Sequence, residues 1–464
     1  MKWTRNKYHY AVKKLKRATK KLNSEALHSA AMSGNQALFD EMKKYLNAGK
    51  SGQTVPDTLE GKVSHEDILD KFRECYSKLY NQDQEGMEEN MINVKAKIDS
   101  LIRNNIMSSQ FEVDKITPEI VKSAANTMKS GKTDVSGSFT SDVFQNSPDI
   151  VFEHLALVFK SFLTHGTMSK EILACAFMPM FKGGLKNPAK FDSYRAIAGA
   201  SQVLKLLEYV ILLIWGDKMT SDSLQFGFKK KVSTTQCSWL VMEIANYMVR
   251  RGVQVSACFL DFSKAFDMVL FNKMFEKMID KDIPAVVVRV LVYAYEEQKG
   301  WVRLAGKNSE TFRLTNGTRQ GSVLSPFFFA GIYLNDLLQK LRKMGLGCHI
   351  AGFWMGALGF ADDVVLLTTN RQELQRMLTV CEEYGREHNL VFSTDPNPVK
   401  SKTKCVQFGH TSRCQYPDPV FLDGKALPWV ERVEHLGHIL HESLSMNADC
   451  TRARASFMDR ASDL

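Results

Sequence analysis

Phe360-Ala361-Asp362-Asp363 sets two adjacent carboxylates between the apolar stretch Ile350 to Gly359 and the apolar run Val364 to Leu367. Acids between two strand-like runs read as a hairpin turn that holds fixed negative charge, and such a turn attracts divalent cations. An isolated Asp-Asp turn is ordinarily an exposed loop. Here the flanks are apolar, where uncompensated charge is costly to bury, and another acid, Asp261, ends a second apolar run, Val255 to Leu260. If the two runs lie side by side, three carboxylates meet within a few ångströms and raise one another's pKa. Bound divalent cations are the usual resolution. Two Mg²⁺ ions about 3.5–4 Å apart would activate a hydroxyl and stabilise a leaving pyrophosphate, which is nucleotidyl transfer. Asp267, close to Asp261, reads instead as structural, because it stands near the start of a helix through Phe271 to Ile279, where an acid suits the helix dipole.

The rest of the composition sets the frame. At 464 residues, 44% of them hydrophobic, the chain has room for about two to four domains and a large core. Formal net charge is +10, and the excess is concentrated at the start. Lys2, Arg5, Lys7, Lys13, Lys14, Lys16, Arg17, Lys20 and Lys21 occur with no acid among them. Such an arm suits phosphate neutralisation and counterion release, and a solvated helix or a nuclear-import signal reads equally well. The nine cysteines show no C-x-x-C spacing, as expected of reduced, intracellular thiols in the nucleus or cytoplasm. His435, His438 and His441 recur at helix-like spacing near Cys405, His410 and Cys414, but these spacings match no closed zinc module. No secretory signal follows the basic start. The most apolar stretches, Val203 to Trp215 and Pro284 to Tyr295, are short and interrupted by charge, so the chain is expected to be soluble.

Along the chain, residues 1 to about 110 read as amphipathic helices with a glycine-bearing break at Asn47 to Gly61. Thr117-Pro118-Glu119 is a helix start with Pro at the first position. Ser130-Gly131-Lys132-Thr133 is like the end of a phosphate-binding loop, but Asn126 stands where the first glycine should be and no buried strand precedes it. From Cys175 onward short apolar strands alternate with longer helices, an α/β or α+β core. Ser325-Pro326 reads as a cap and first turn, with Leu334, Leu337, Leu338 and Leu341 on one face before Gly345. Asn370 with Glu373 reads as a capping box, with Leu374, Met377, Leu378 and Cys381 on the buried side.

The order of motifs resembles that of the reverse transcriptases of non-LTR (LINE-type) retrotransposons. The resemblance rests on Lys182 and Tyr194-Arg195-Ala196-Ile197; Gln225-Phe226-Gly227-Phe228; Phe259-Leu260-Asp261-Phe262-Ser263-Lys264-Ala265-Phe266-Asp267; Asn316-Gly317-Thr318-Arg319-Gln320-Gly321-Ser322 to Pro326; Phe360-Ala361-Asp362-Asp363; Ser401-Lys402-Thr403-Lys404 to Phe408; and His435-Leu436-Gly437. It covers Ile116 to Leu440 and implies an α+β right-hand polymerase, with fingers and an antiparallel-sheet palm backed by helices. The implied division is a basic helical region at 1–115, fingers and palm at 116–440 with a core at 175–410, and the start of a truncated thumb or connection at 441–464.

The resemblance further implies RNA-directed DNA synthesis from an RNA template, a DNA primer and deoxynucleoside triphosphates, with two Mg²⁺ ions. Asp261, Asp362 and Asp363 would hold the metals, Asp363 the weaker ligand, with the Phe262 carbonyl contributing. Lys182 and Arg195 would grip the triphosphate, for which an ammonium and a bidentate guanidinium are suited. Gln320 and Gly321 would pack against the nascent base pair, with glycine permitting close backbone approach. Lys402, or alternatively Lys404, would protonate pyrophosphate. Phe266 would lie beneath the sugar and exclude a 2′-hydroxyl; its ordinary reading is a core phenylalanine. Three positions depart from the family pattern. No proline follows Arg195, Phe360 replaces the commoner tyrosine, and His435 stands where an aromatic is usual. No endonuclease is expected before the polymerase and little thumb after Leu440. The competing reading is an inactive or truncated retroelement fragment that only binds nucleic acid.

Overall fold

The computed structural model describes Ser29, Met32 and residues 55–82, 87–183, 186–395, 397, 399–410 and 416–462. The basic arm, most of the Asn47 to Gly61 break, and Cys414 lie outside the described residues. Residues Val55–Ala453 form one compact unit, built on two sheets.

The first sheet comprises β1 (Cys175–Phe181), β2 (Tyr194–Ala200), β4 (Lys299–Leu304), β5 (Lys307–Asn308) and β6 (Phe312–Arg313). Its order is β2-β1-β4-β5, with β6 also on β4, and β1 and β4 are parallel. Helix His65–Tyr80 starts at Ser64, whose hydroxyl accepts from the Asp67 N–H. It buries Phe72, Tyr76 and Tyr80 against this sheet. Tyr80 stacks on Phe177 with ring centroids 4.9 Å apart, and Phe72 meets Tyr194 edge-on at 5.0 Å. Aromatic pairs of this kind add to the area they bury. One core therefore crosses the boundary that the sequence reading sets at residue 116.

The second sheet holds β3 (Val255–Leu260), β9 (Ala357–Phe360), β10 (Asp363–Thr368) and β11 (Lys404–Phe408), in the order β11-β3-β10-β9 and antiparallel throughout. Every residue of β3 is buried, as a largely apolar run predicts for a central strand, and its one polar side chain, Ser256, donates to Gln407 Oε1. Helices Thr234–Val249 and Arg371–Glu387 pack on this sheet. The stretch Ile350 to Gly359 is not one strand: a small hairpin of β7 (His349–Ile350) and β8 (Phe353–Trp354) precedes β9. The turn at Ala351 and Gly352 is left-handed, and it takes Ile350 out of the sheet.

Local expectations fare unevenly. Pro118 begins its helix and Thr117 caps it. Ser325 is a helical residue rather than the cap, which is Leu324. The helix expected after it is interrupted by a π-helical turn, Phe328–Tyr333, before Asn335–Met344 continues. Asn370 caps the Gln372 N–H, but Glu373 does not close the box. Its carboxylate instead accepts from Thr368 Oγ1 and the Gly347 N–H. The three histidines are not helical: His435 and His438 pair across the hairpin of β14 (Arg432–His435) and β15 (His438–His441). Two further short strands, β12 (Phe421–Leu422) and β13 (Lys425–Ala426), form their own hairpin. Among the described residues no helix is long and apolar enough to cross a membrane.

Candidate active site

Asp362 lies in a two-residue turn between β9 and β10, where Phe360 and Asp363 are paired. Ala361, its other residue, has φ +56°. Left-handed backbone suits the twist of a tight hairpin but is costly for a residue with a Cβ. β10 in turn pairs with β3, Val364 opposite Leu260. One step further along this register, Asp363 comes level with Asp261. The acid at the end of β3 and the acids of the turn therefore share one end of the sheet.

The surroundings of Asp261 are well defined. Its N–H donates to Thr403 Oγ1 at 3.2 Å, its carbonyl accepts from the Ser393 N–H at 2.8 Å, and Lys402 Nζ lies 3.4 Å from Oδ2. Lys402 thus lies beside Asp261, while Lys404 stands on β11 opposite Phe259. Phe262 is buried and bridges Phe392. Because the bonds flanking that bridge run through Asp261 and Ser263, the Phe262 carbonyl turns away from Phe392.

Burial and like charge act together on the turn. Burial raises the pKa of Asp362, Asp261 raises it further, and the Arg195 and Lys402 charges oppose both. Asp363 is pushed up to about 7 by burial and then by Asp362 and Asp261, with Lys402 opposing. An oxygen-only set of carboxylates that resist joint ionisation suits a hard divalent cation. Among the described residues, no group of three His, Cys, Asp or Glu side chains is gathered as a ready metal site. The three acids share one end of the sheet, with Asp363 level with Asp261.

Of the cations on and beside the first sheet, Arg195 acts on Asp362. Arg195 stands on β2 opposite Met180 and is exposed. Lys182 follows β1 and donates from Nζ to the Asp192 carbonyl at 2.6 Å. Its pKa is lowered by burial and then by Lys186, Arg195 and Lys402, so these charges sense one another.

Residues 185–440, more than half the length, match the family described as reverse transcriptase (RNA-dependent DNA polymerase). The chain belongs to the reverse transcriptase family. Among relatives, it is 26% identical over 357 residues to the RNA-directed DNA polymerase from mobile element jockey of Drosophila funebris, covering 75% of this chain and 37% of that protein. It is 26% identical over 243 residues to a Pol polyprotein from retrotransposable element R2 of Nasonia vitripennis, 51% of this chain and 23% of that one. A putative 115 kDa protein in element R1DM of Drosophila melanogaster is 23% identical over 327 residues, 68% and 29% respectively. The chain thus spans well under half the length of these relatives.

Within this reverse transcriptase fold the remaining motif residues take specific places. Phe266 is half-buried, stacked on Phe329 at 4.4 Å and met edge-on by Phe228 at 6.2 Å. The π-helical turn contributes Phe329 to this stack. Gln320 bridges β2 and the segment after β3: its carbonyl accepts from the Ala198 N–H at 2.7 Å, and Nε2 donates to Asp267 at 3.3 Å. Gly321 has φ +116°, and a Cβ there would stand 2.8 Å from the Ala198 carbonyl oxygen. The close backbone approach that demands glycine is therefore to β2 of the chain itself.

Asp267 is structural, though for a different reason than the helix dipole. It is buried, accepts from the Tyr80 hydroxyl at 2.5 Å, and is pushed up to about 6 by burial, against the pull of Tyr80, Lys264 and Gln320. A raised carboxylate favours folding while protonated, so its contribution is full below the ordinary carboxylate range and fades as pH rises through about 6. Asp267→Asn should therefore flatten the difference in thermal unfolding between pH 4 and pH 7 relative to wild type. Equal slopes in the two proteins would refute this account.

Two residues escaped the sequence reading. Glu208, one of the charges that interrupt the apolar stretch Val203 to Trp215, is buried and accepts from Arg319, Ser322 Oγ and the Val323 N–H. Thr403 anchors the Asp261 peptide. An acid inside an apolar helix was the available signal for Glu208; Thr403 had none beyond its motif. His435 is buried, hydrogen-bonded to Ser238 and lowered to about 4 by burial and by His438, an environment of core packing.

Proposed function

We propose that this chain carries the fingers and palm of an RNA-directed DNA polymerase, the first sheet belonging to the fingers and the antiparallel sheet forming the palm. The observation that carries the reading is the β3–β10 pairing, which brings Asp261 to the same sheet end as the Asp362–Asp363 turn. The names of the jockey and R2 relatives support an RNA template and retrotransposition as the setting.

Asp261, Asp362 and Asp363, with the Phe262 carbonyl, would hold two Mg²⁺ ions, Asp363 the most weakly. Bound Mg²⁺ supplies Lewis-acid activation of a primer 3′-hydroxyl and stabilises charge on pyrophosphate. The chain's own residues do the rest. Arg195 offers a guanidinium fork to phosphate oxygens and Lys182 a point charge. Lys402, beside Asp261, is positioned to give a proton to the departing pyrophosphate. The Gln320–Gly321 loop, fixed to β2 and Asp267, forms a wall against the nascent base pair. Phe266, held by Phe329, closes the space a 2′-hydroxyl would need.

Phe266→Ala should raise ribonucleotide incorporation relative to deoxynucleotides by roughly 10–100-fold, the scale on which pockets reject an added hydroxyl. An unchanged preference in single-nucleotide extension would remove Phe266 from this role. The overall test is extension of a DNA primer on an RNA template with Mg²⁺ and deoxynucleotides. Template-dependent extension supports the polymerase. Salt-dependent retention of nucleic acid without extension would favour the binding-only fragment.

A further inference from the structure

The segment Leu224 to Phe228 runs beside the catalytic turn. The Gly359 N–H donates to the Leu224 carbonyl at 2.8 Å and the Phe226 N–H to the Gly359 carbonyl at 2.6 Å, extending the sheet edge at β9. Between them Gln225 is fully buried. Its Oε1 accepts from the Ala361 N–H at 2.8 Å and the Gly227 N–H at 2.9 Å, and its Nε2 donates to the Ala361 carbonyl at 3.1 Å. A single amide therefore holds both peptide groups of the left-handed residue that precedes Asp362. The fit leaves no slack: a Cβ on Gly227 would stand 2.3 Å from the Ala361 nitrogen, and one on Gly359 would stand 2.9 Å from Gln225 Nε2.

Immediately beyond, Phe228 has φ +62°, a conformation disfavoured for a bulky side chain and retained only where neighbours enforce it. In this conformation its ring stands perpendicular to Phe266. The same short segment thus touches the support of the carboxylates and the ring beneath the proposed sugar position.

Resting on the polymerase reading, we infer that Gln225 and Phe228 are positioning residues: Gln225 fixes the Asp362–Asp363 turn through Ala361, and Phe228 fixes the Phe266 ring. Neither needs to touch substrate. Gln225 acts on the carboxylates as an outer partner acts on a metal ligand, setting its orientation. Phe228 acts on sugar discrimination by restricting the movement of Phe266 away from Phe329.

The test uses the whole chain and two readouts. Gln225→Met keeps the length of the side chain and removes its hydrogen bonds. It should weaken Mn²⁺ binding, followed by electron paramagnetic resonance, by roughly tenfold and lower kcat for extension with little change in nucleotide KM. Gln225→Glu keeps the acceptor for Ala361 and Gly227 and should fall between Met and wild type; it also carries the measurement if Gln225→Met fails to fold. Mn²⁺ affinity and kcat within twofold of wild type in either folded variant would overturn the role of Gln225. Phe228→Leu should lower discrimination against ribonucleotides roughly fivefold, the scale of one aromatic pair, with Mn²⁺ binding unchanged; unaltered discrimination would overturn the role of Phe228. A wild-type chain that neither binds Mn²⁺ nor extends a primer refutes the polymerase reading, and this inference with it.

Discussion

Asp362→Asn is expected to abolish primer extension, by about a thousandfold or more, while template and primer remain bound. A loss of that size corresponds to about 4 kcal/mol of transition-state stabilisation. The substitution is nearly isosteric, and burial together with Asp261 already disfavours the charge of Asp362. Removing that charge should leave the fold intact or slightly stabilised in metal-free buffer. An inactive yet stable variant therefore separates chemistry from folding. Asp261→Asn should act similarly, with one difference. Lys402 Nζ lies 3.4 Å from Asp261, so this variant also frees a lysine, and its retention of nucleic acid should not fall. Single-turnover extension and filter binding at several salt concentrations measure both quantities. Residual extension above a tenth of wild type in Asp362→Asn would place the essential metal ligands elsewhere.

The carboxylate end of the candidate site is legible in the sequence because its parts are local. A strand that is buried on both faces reads as a near-continuous apolar run, and β3 does, with Ser256 its one polar residue; an acid at its end is then conspicuous. The hairpin of Phe360 to Asp363 announces itself in the same way. Other parts depend on distant partners. Gln225 and Ala361 are far apart in the chain, and only the docking of Leu224 to Phe228 beside β9 gives the glutamine its role. Asp267 reads as a helix-start acid because Phe271 begins a helix soon after it. Its partner is Tyr80, from a helix that the sequence reading assigned to a separate region. The π-helical turn at Phe328–Tyr333 has no periodicity signal, since six residues of altered winding barely displace an apolar pattern. Yet that turn supplies Phe329 to the face of Phe266.

The buried ion pair behind the Gln320 loop should prove as sensitive as the chemistry. Arg319 and Glu208 are 2% and 3% exposed and 3.1 Å apart, and they belong respectively to the Gln320 loop and to helix Gln202–Trp215. Removing one member of a buried ion pair leaves an uncompensated charge, which costs about 3–5 kcal/mol. Arg319→Met should therefore destabilise the chain by about that amount in urea unfolding, with Ser322 and Val323 still bonded to Glu208. Glu208→Gln alone leaves the guanidinium unneutralised and should also be costly, though less so, because a glutamine oxygen still accepts from Ser322 and Val323. The double variant, Arg319→Met with Glu208→Gln, removes both charges while keeping that acceptor. It should recover most of the lost stability, as expected when the penalty comes from the orphaned charge rather than from a large intrinsic attraction. Additive losses in the double variant would mean that Arg319 stabilises chiefly by its packing, for which its position over the Tyr295 ring at 5.2 Å offers the alternative partner.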